Sequence, residues 1–265
     1  MEIRESGNAY PEYSRISVKT EETSGTFREE VRFLPEEYRL SVQILPGPEK
    51  REEAPEGTRA KRQEDRLEFI CTPSFLPEMV LGHLLTEGLI CSGEDVISLE
   101  VFRDRGEALM ILREGAVFFA REQTAEGTDC AVPVQLQPEL LLRPEWIRGM
   151  EERVREETEL RALTHAVHSA VLSHRGEIVF AAEDIGRHNA VDKAAGFALR
   201  NGIPPGECLL YTTGRMASDM VMKAVRAGIP VLAGGKGPTA EGLRTAKKYG
   251  LALAGNIRNG KISFY

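Results

Sequence analysis

From residue 177 onward, the hydrophobic pattern repeats as short apolar run, glycine-bearing loop and amphipathic helix. Residues 178–182 read as a buried strand, followed by a charged loop and a helix whose inner face is Val191, Ala194, Ala195 and Ala198. Residues 208–212 form the next strand, leading through Thr213-Gly-Arg215 into a helix over 217–227. Residues 231–233 form a third strand, with a loop over 234–239 and a helix over 240–249. Gly228 and Gly250 end the last two helices. A last strand, 251–254, precedes a Gly255-to-Lys261 loop and the terminal residues 262–265. Upstream, 166–173 and 177–182 are two strands hinged at His174-Arg-Gly176. This order predicts an α/β fold, a mostly parallel sheet with helices on both faces.

The first half is patterned differently. Residues 1–34 mix Glu, Arg, Ser and Thr without periodicity, which predicts a weakly ordered arm. Residues 37–45 alternate as a strand, 67–71 supply a partner, and the Pro- and charge-rich 46–66 between them reads as a long exposed loop. Ser74 and Pro77 open a helix carrying Val80, Leu81, Leu84 and Leu85 that stops at Gly88, with Glu87 at its end. Its His83 is expected on the helix surface. Three β-prone runs, 96–102, 108–112 and 116–120, predict a small antiparallel sheet. The polar stretch 121–138 is the expected boundary, and Trp146, Ile147, Met150 and Val154 recur as a helix after Pro144. The expected organisation is an arm (1–34), a small mixed α+β domain (35–125), a cysteine loop and linker (126–140) and an α/β domain (141–265).

Charge sharpens this division. The net charge of −7 is the sum of two unlike halves. Residues 1–160 carry 34 Asp+Glu against 20 Lys+Arg, net −14, and residues 161–265 carry 7 against 14, net +7. The basic half has no aromatic-rich or Arg-rich nucleic-acid motif, which favours small anionic ligands over nucleic acid. No apolar run is long enough for a membrane span, and Met1-Glu-Ile-Arg-Glu-Ser lacks a signal-peptide core, so a cytoplasmic location is expected. Four distant cysteines, Cys71, Cys91, Cys130 and Cys208, predict reduced thiols, with Cys71 and Cys91 packed as small apolar groups.

Ligands of such a sheet bind beyond the carboxyl ends of its strands. Arg187, Arg215, Lys236, Arg258 and Lys261 all lie in loops after strands, most of them beside glycine, and helix N-termini expected at Asn189, Ala217 and Thr239 add positive dipole ends. No loop is a Walker A or a complete Gly-x-Gly-x-x-Gly fingerprint, yet five loops with one bias predict a phosphate or pyrophosphate site. Glu183, Asp184, Arg187 and His188 crowd into one loop, where Gly186 permits a tight turn and Asn189 is a candidate cap. Lys193 and Lys223, one turn into their helices, face either the site or solvent.

No metal site is expected. His165 and His168, three apart on a strand, would point to opposite faces, and neither His-x-Glu nor Pro-Cys-x-x-Cys occurs. His168 is read as a site-lining or core residue. A hydrolase with Glu183 or Asp184 as base and His188 as acid is one further possibility. Cys130, in the polar boundary loop beside Asp129, is the remaining candidate for covalent chemistry.

The run Glu183-Asp-Ile-Gly-Arg-His-Asn-Ala-Val-Asp-Lys193 resembles the signature of the formate dehydrogenase accessory protein family. Thr72-Pro73 with Gly82-His-Leu-Leu-Thr-Glu-Gly-Leu-Ile90, and Gly214-Arg215 with Met220-Val-Met-Lys223, fit the same family. The resemblance implies a zinc-free, cytidine-deaminase-like C-terminal domain and a homodimer. It also implies a sulfurtransferase in which a loop cysteine, here Cys130, takes sulfur from a cysteine desulfurase as a persulfide. The sulfur passes to the bis-molybdopterin guanine dinucleotide form of the molybdenum cofactor, destined for formate dehydrogenase. The implied cofactor-binding residues, for a GDP-like portion, are Glu183, Asp184, Gly186, Arg187, His188, Asn189, Gly214, Arg215 and Lys236, with the segment Asn256, Ile257, Arg258, Asn259, Gly260 and Lys261. Two departures stand out: Cys130-Ala-Val-Pro133 has proline where the family commonly has a second cysteine, and Thr164-His-Ala-Val-His168 lacks the family's glycine pair. The alternative they leave open is a relative that binds or chaperones the cofactor without transferring sulfur.

Overall fold

Tyr38, Leu40, Val42 and Ile44, buried alternately along β4 (Tyr38–Pro46), anchor the first of three sheets. The computed structural model describes residues 1–23, 25–47, 66–113, 116, 136–157, 159–258 and 260–265. The five-stranded sheet has the order β1-β6-β7-β4-β5, with β1 (Glu2–Ser6), β5 (Arg66–Cys71), β6 (Val96–Phe102) and β7 (Glu107–Leu112). β6 and β7, the two expected runs that are described, pair antiparallel as expected. β1 runs parallel to β6 and β4 parallel to β7, so the sheet as a whole is mixed. The expected strand over 116–120 lies almost wholly outside the described residues.

The N-terminal residues, expected as a weakly ordered arm, form three strands. β1 adds an edge to the five-stranded sheet, and β2 (Tyr13–Glu21) and β3 (Phe27–Pro35) pair over nine residues as a ribbon. Local composition offers little to bury here; distant strand edges and cross-strand pairing order these residues, and composition carries no record of either.

A second sheet of six strands has the order β13-β12-β11-β10-β8-β9. Its elements are α2 (Pro144–Glu157), α3 (Glu159–Thr164), β8 (His168–His174), β9 (Glu177–Asp184), α4 (Arg187–Arg200), β10 (Cys208–Thr212), α5 (Ser218–Arg226), β11 (Val231–Gly234), α6 (Ala240–Tyr249), β12 (Ala252–Arg258) and β13 (Lys261–Phe264). The mostly parallel sheet of the sequence reading is corrected to a mixed one. Among neighbouring strands only β10–β11 and β11–β12 are parallel, each pair joined by a helical crossover, α5 and α6. The crossover α4 joins β9 to β10, but β8 lies between those two strands. The tight turns at His174-Arg-Gly176 and after Arg258 force hairpins, so β8–β9 and β12–β13 are antiparallel. β10 also runs antiparallel to β8.

Helices cover both faces. Ile147, Met150 and Val154 of α2 pack on Val171, Leu209, Tyr211 and Val231, and the helices α4 and α5 pack on the other face. One hydrophobic cluster runs through both large sheets by way of α1 (Leu76–Thr86) and α4. Backbones touch where these helices cross. A Cβ on Gly82 would collide with the Asp192 carbonyl, and one on Gly196 with the Glu78 carbonyl.

Candidate functional site

Strands β10 and β11 end side by side, and β8 begins next to them, so their loops gather at one end of the six-stranded sheet. Gly234 lets β11 pass the Thr212 carbonyl, which a Cβ would approach to 2.6 Å. The Thr212 hydroxyl accepts from the Gly214 N–H at 3.0 Å, and the bare face of Gly214 lies against Arg187. Met216 and Pro238 form an isolated bridge, the Thr239 N–H donates to the Met216 carbonyl at 3.1 Å, and the Thr239 hydroxyl caps α6 through the Gly242 N–H. The two loops thus hold one another in place.

Between them lies a cavity of about 310 Å³ lined by Arg161, Tyr211, Thr213, Gly235, Lys236 and Ile257, with Glu151 and Val154 of α2 as its roof. Thr213 is fixed by exchange with Ser169: its hydroxyl accepts from the Ser169 N–H at 2.9 Å, and its N–H donates to the Ser169 carbonyl at 3.0 Å. The same hydroxyl lies 3.4 Å from His168 Nδ1. Burial holds the His168 pKa below the ordinary histidine value, and the charges of Lys236, Arg187 and Arg161 push it in the same direction. Arg187 Nε is buried without a hydrogen bond among the described residues, and its guanidinium reaches Asp219 only at 3.7 Å. A half-buried cationic end with spare donors is suited to an anion.

Other charges of the same motif turn inward. Asp184 and Lys193 are fully buried and paired at 2.7 Å, and Asp184 also accepts from the Thr72 N–H at 3.0 Å. Lys193 donates to the Thr72 hydroxyl at 2.7 Å and to the Glu183 carbonyl at 3.0 Å. Glu183 accepts from the Leu160 and Arg161 N–H groups, each at 2.9 Å, at the start of α3. Burial raises its pKa against the pull of those N–H groups. Glu183 and Asp184 thus each hold neighbouring segments in place.

Asn189 is not the helix cap. α4 begins at Arg187 behind Gly186, whose N–H donates to Asp184 Oδ1 at 2.8 Å. Asn189 instead ties Asp184 to β5, donating to the Ile70 carbonyl at 2.8 Å and to Asp184 Oδ1 at 3.0 Å. Gly186 has φ −97°, so closeness to Asn189 explains it rather than a left-handed turn.

Lys223 faces neither the anion site nor solvent. It is 5% exposed and donates to Asp192 at 2.9 Å, Glu87 at 2.7 Å and Thr86 at 3.0 Å. His83, expected on the surface, sits 3.3 Å from Asp192 and edge-on to Phe69. Burial works to raise the Asp192 pKa, but the bonds and charges of His83, Lys223 and Thr86 outweigh it and hold the group low. This seam joins α1, α4 and α5. At its outer end His188 Nε2 lies 2.9 Å from Asp219, on the rim of a separate cavity of about 450 Å³.

Arg215, Lys236 and Lys261 are exposed. Asn256 is exposed at φ 52° and donates to the Tyr265 hydroxyl at 2.6 Å, and Ile257 is buried beneath it. Gly260, at φ 74°, makes the turn to β13. The backbones of residues 258 and 261 stand opposite each other across that turn. Asn259 and Cys130 lie outside the described residues. Burial pushes the Cys71 and Cys208 thiols up to about 12, whereas Cys91 is exposed rather than packed and is disulfide-bonded, which corrects the expectation of reduced thiols at that position. The sequence reading missed Arg161 and Thr213 as site residues; Arg161 sits on a short helix with no glycine loop to mark it.

Comparison with known proteins places these features in context. Residues 61–265 match the FdhD/NarQ family. The sulfur carrier protein FdhD of Methanothermobacter thermautotrophicus is 31% identical over 206 residues, 74% of this chain and 81% of that protein. The protein of the same name from Halalkalibacterium halodurans is 29% identical over 213 residues, 74% of this chain and 79% of that one. The fold is similar to the crystal structure of a formate dehydrogenase accessory protein from Desulfotalea psychrophila, with a TM-score of 0.75 and 24% identity over 96% of this chain and 97% of that one.

Proposed function

Because the chain belongs to the FdhD/NarQ family, we propose that it is a sulfur carrier serving formate dehydrogenase, with Cys130 as the carrying thiol. In the first transfer, the Cys130 thiolate attacks the terminal sulfur of a cysteine desulfurase persulfide. A sulfur–sulfur bond forms on Cys130, and the desulfurase cysteine leaves as its thiolate. The substrate that receives the sulfur is bis-molybdopterin guanine dinucleotide, before its insertion into formate dehydrogenase. The protein acts in the cytoplasm as a homodimer, and its C-terminal sheet corresponds to the cytidine-deaminase-like domain that the resemblance implies.

The observation that carries the binding half of this reading is the cavity lined by Arg161, Lys236 and Thr213 at the strand ends. A pyrophosphate placed there meets two cations, the Thr213 hydroxyl and loops that glycine keeps open, with Arg187 close to the neighbouring Gly214. Arg215 and Lys261 extend the positive surface outward, and Asn256 and Gly260 shape the adjoining turn. Glu183, Asp184 and Asn189 hold α3, β5 and α4 in register around it.

Two measurements test the reading. Calorimetry should show GDP binding that weakens with salt and falls on Arg215→Ala or Lys236→Ala; equal affinity in all three proteins sinks the anion site. Incubation with a desulfurase and cysteine should add one sulfur to Cys130, and Cys130→Ala should abolish activation of formate dehydrogenase. Pro133 replaces a nearby thiol, so the persulfide should persist until an acceptor arrives. Full activation by Cys130→Ala would leave a cofactor-binding protein that does not transfer sulfur.

A further inference from the structure

The ribbon of β2 and β3 forms a sheet of its own. Pairing Tyr13 with Pro35 through Glu21 with Phe27 puts odd-numbered side chains on one face and even-numbered ones on the other. On the even face Ile16, Val18, Thr20 and Glu30 are half-buried, and α3 packs against β3. The odd face is open: Tyr13, Phe27 and Val31 are 39%, 68% and 46% exposed, and Phe33 meets Tyr13 edge-on at 5.5 Å. A two-stranded ribbon is marginal in water without further packing, and an open apolar face marks a contact surface.

The charges on that face indicate what covers it. They are Arg15, Lys19, Glu21 and Glu29, two of each sign, with Lys19 directly across from Glu29 and Arg15 across from Phe33. Consider two such faces stacked about a two-fold axis parallel to the strands. β2 of one copy then lies over β3 of the other at the same level, so Lys19 meets Glu29 of the second copy and Arg15 meets Phe33 of the second copy, each twice. An axis across the strands would instead set Arg15 against Lys19, which like charge disfavours.

We propose that the odd-numbered face of the β2–β3 ribbon is where two copies of this chain associate, about a two-fold axis parallel to the strands. The inference rests on the homodimer named above and assigns its surface. It is tested on the full chain by sedimentation at micromolar concentration and low salt. Wild type should run as a dimer, and Lys19→Glu, Glu29→Lys and Val31→Arg should each lose the dimer mass while keeping the wild-type GDP affinity. Mixing Lys19→Glu with Glu29→Lys should restore a dimer, seen as a heterodimer by native mass spectrometry. A dimer that survives Lys19→Glu and Val31→Arg overturns the surface and leaves the homodimer standing. A monomeric wild type overturns both, and two monomeric variants that do not combine overturn the axis.

Discussion

At the seam of α1, α4 and α5, charge is sealed inside the protein; at the end of the six-stranded sheet, charge of the same motif is left open. Asp184, Asp192 and Lys193 are fully buried, while Arg187 and His188, only a few residues away, remain partly accessible. The two groups differ in what completes them. Asp184 and Lys193 complete each other with Thr72, and Asp192 is completed by Lys223, His83 and Thr86. The open group has more donors than acceptors: Arg161 and Lys236 line the cavity, Arg187 Nε has no hydrogen bond among the described residues, and burial together with these charges discourages His168 from charging. A sealed pair fixes helices against each other, whereas an unbalanced open cluster is available to an incoming anion.

Breaking a sealed pair should have the largest effect. Lys193→Met removes the counter-charge of a buried carboxylate and is expected to lower stability by about 3–5 kcal/mol in urea unfolding. A loss below about 1 kcal/mol would show that the pair does not hold α4 to Asp184 and Thr72.

At the open end the same experiment should reverse in kind. Lys236→Ala is expected to weaken GDP binding by about 1.5–3 kcal/mol in calorimetry, with stability changed by no more than about 0.5 kcal/mol. If stability fell and binding did not, the contrast between the two regions would collapse.

Steric packing gives a third expectation. Gly82→Ala puts a methyl group against the Asp192 carbonyl and should destabilise by about 1–3 kcal/mol, lowering the melting temperature with GDP affinity unchanged in the folded protein.

The smallest effects are in pH. The Asp192 pKa is depressed on folding, so its contribution is complete above the ordinary aspartate value and is lost as pH falls through the folded value. The His168 pKa is also lowered, but for a histidine this means the unfolded chain takes the proton first. Stability should therefore fall as pH drops below about 6.5, and His168→Gln should flatten that part of the curve. Bound GDP should raise the His168 pKa, which a histidine NMR titration reads directly; no movement on binding would place the nucleotide elsewhere.

The residues that were legible in the sequence are those whose reasons are local. The strands over 208–212 and 231–233 and the helices that follow them were marked by apolar runs, loop glycines and end signals such as Thr239 and Gly250. The gathering of Arg187, Gly214 and Lys236 followed from strand ends meeting at one edge. Strand direction is less legible, because the apolar runs of hairpins and crossovers look alike and turn length alone separates them. Gly82 could be read as a motif residue, but its need for a bare face depends on Gly196, more than a hundred positions away.

Sequence by itself determined which segments fold as strands and helices in the C-terminal half, that their loops are basic, and that Glu183 to Lys193 is dense in ionisable groups. Periodicity, capping and charge are properties of neighbouring residues, so the chain states them directly. Only the tertiary structure decided which of those groups are spent inside and which remain open. Asp184 is buried because Thr72 and Lys193 meet it there, Lys223 because Asp192 and Glu87 do, and Arg161 joins the site because α3 is anchored on Glu183. A charge can leave water only where distant partners arrive with matching geometry, and that arrival is a property of the fold rather than of any one stretch of chain.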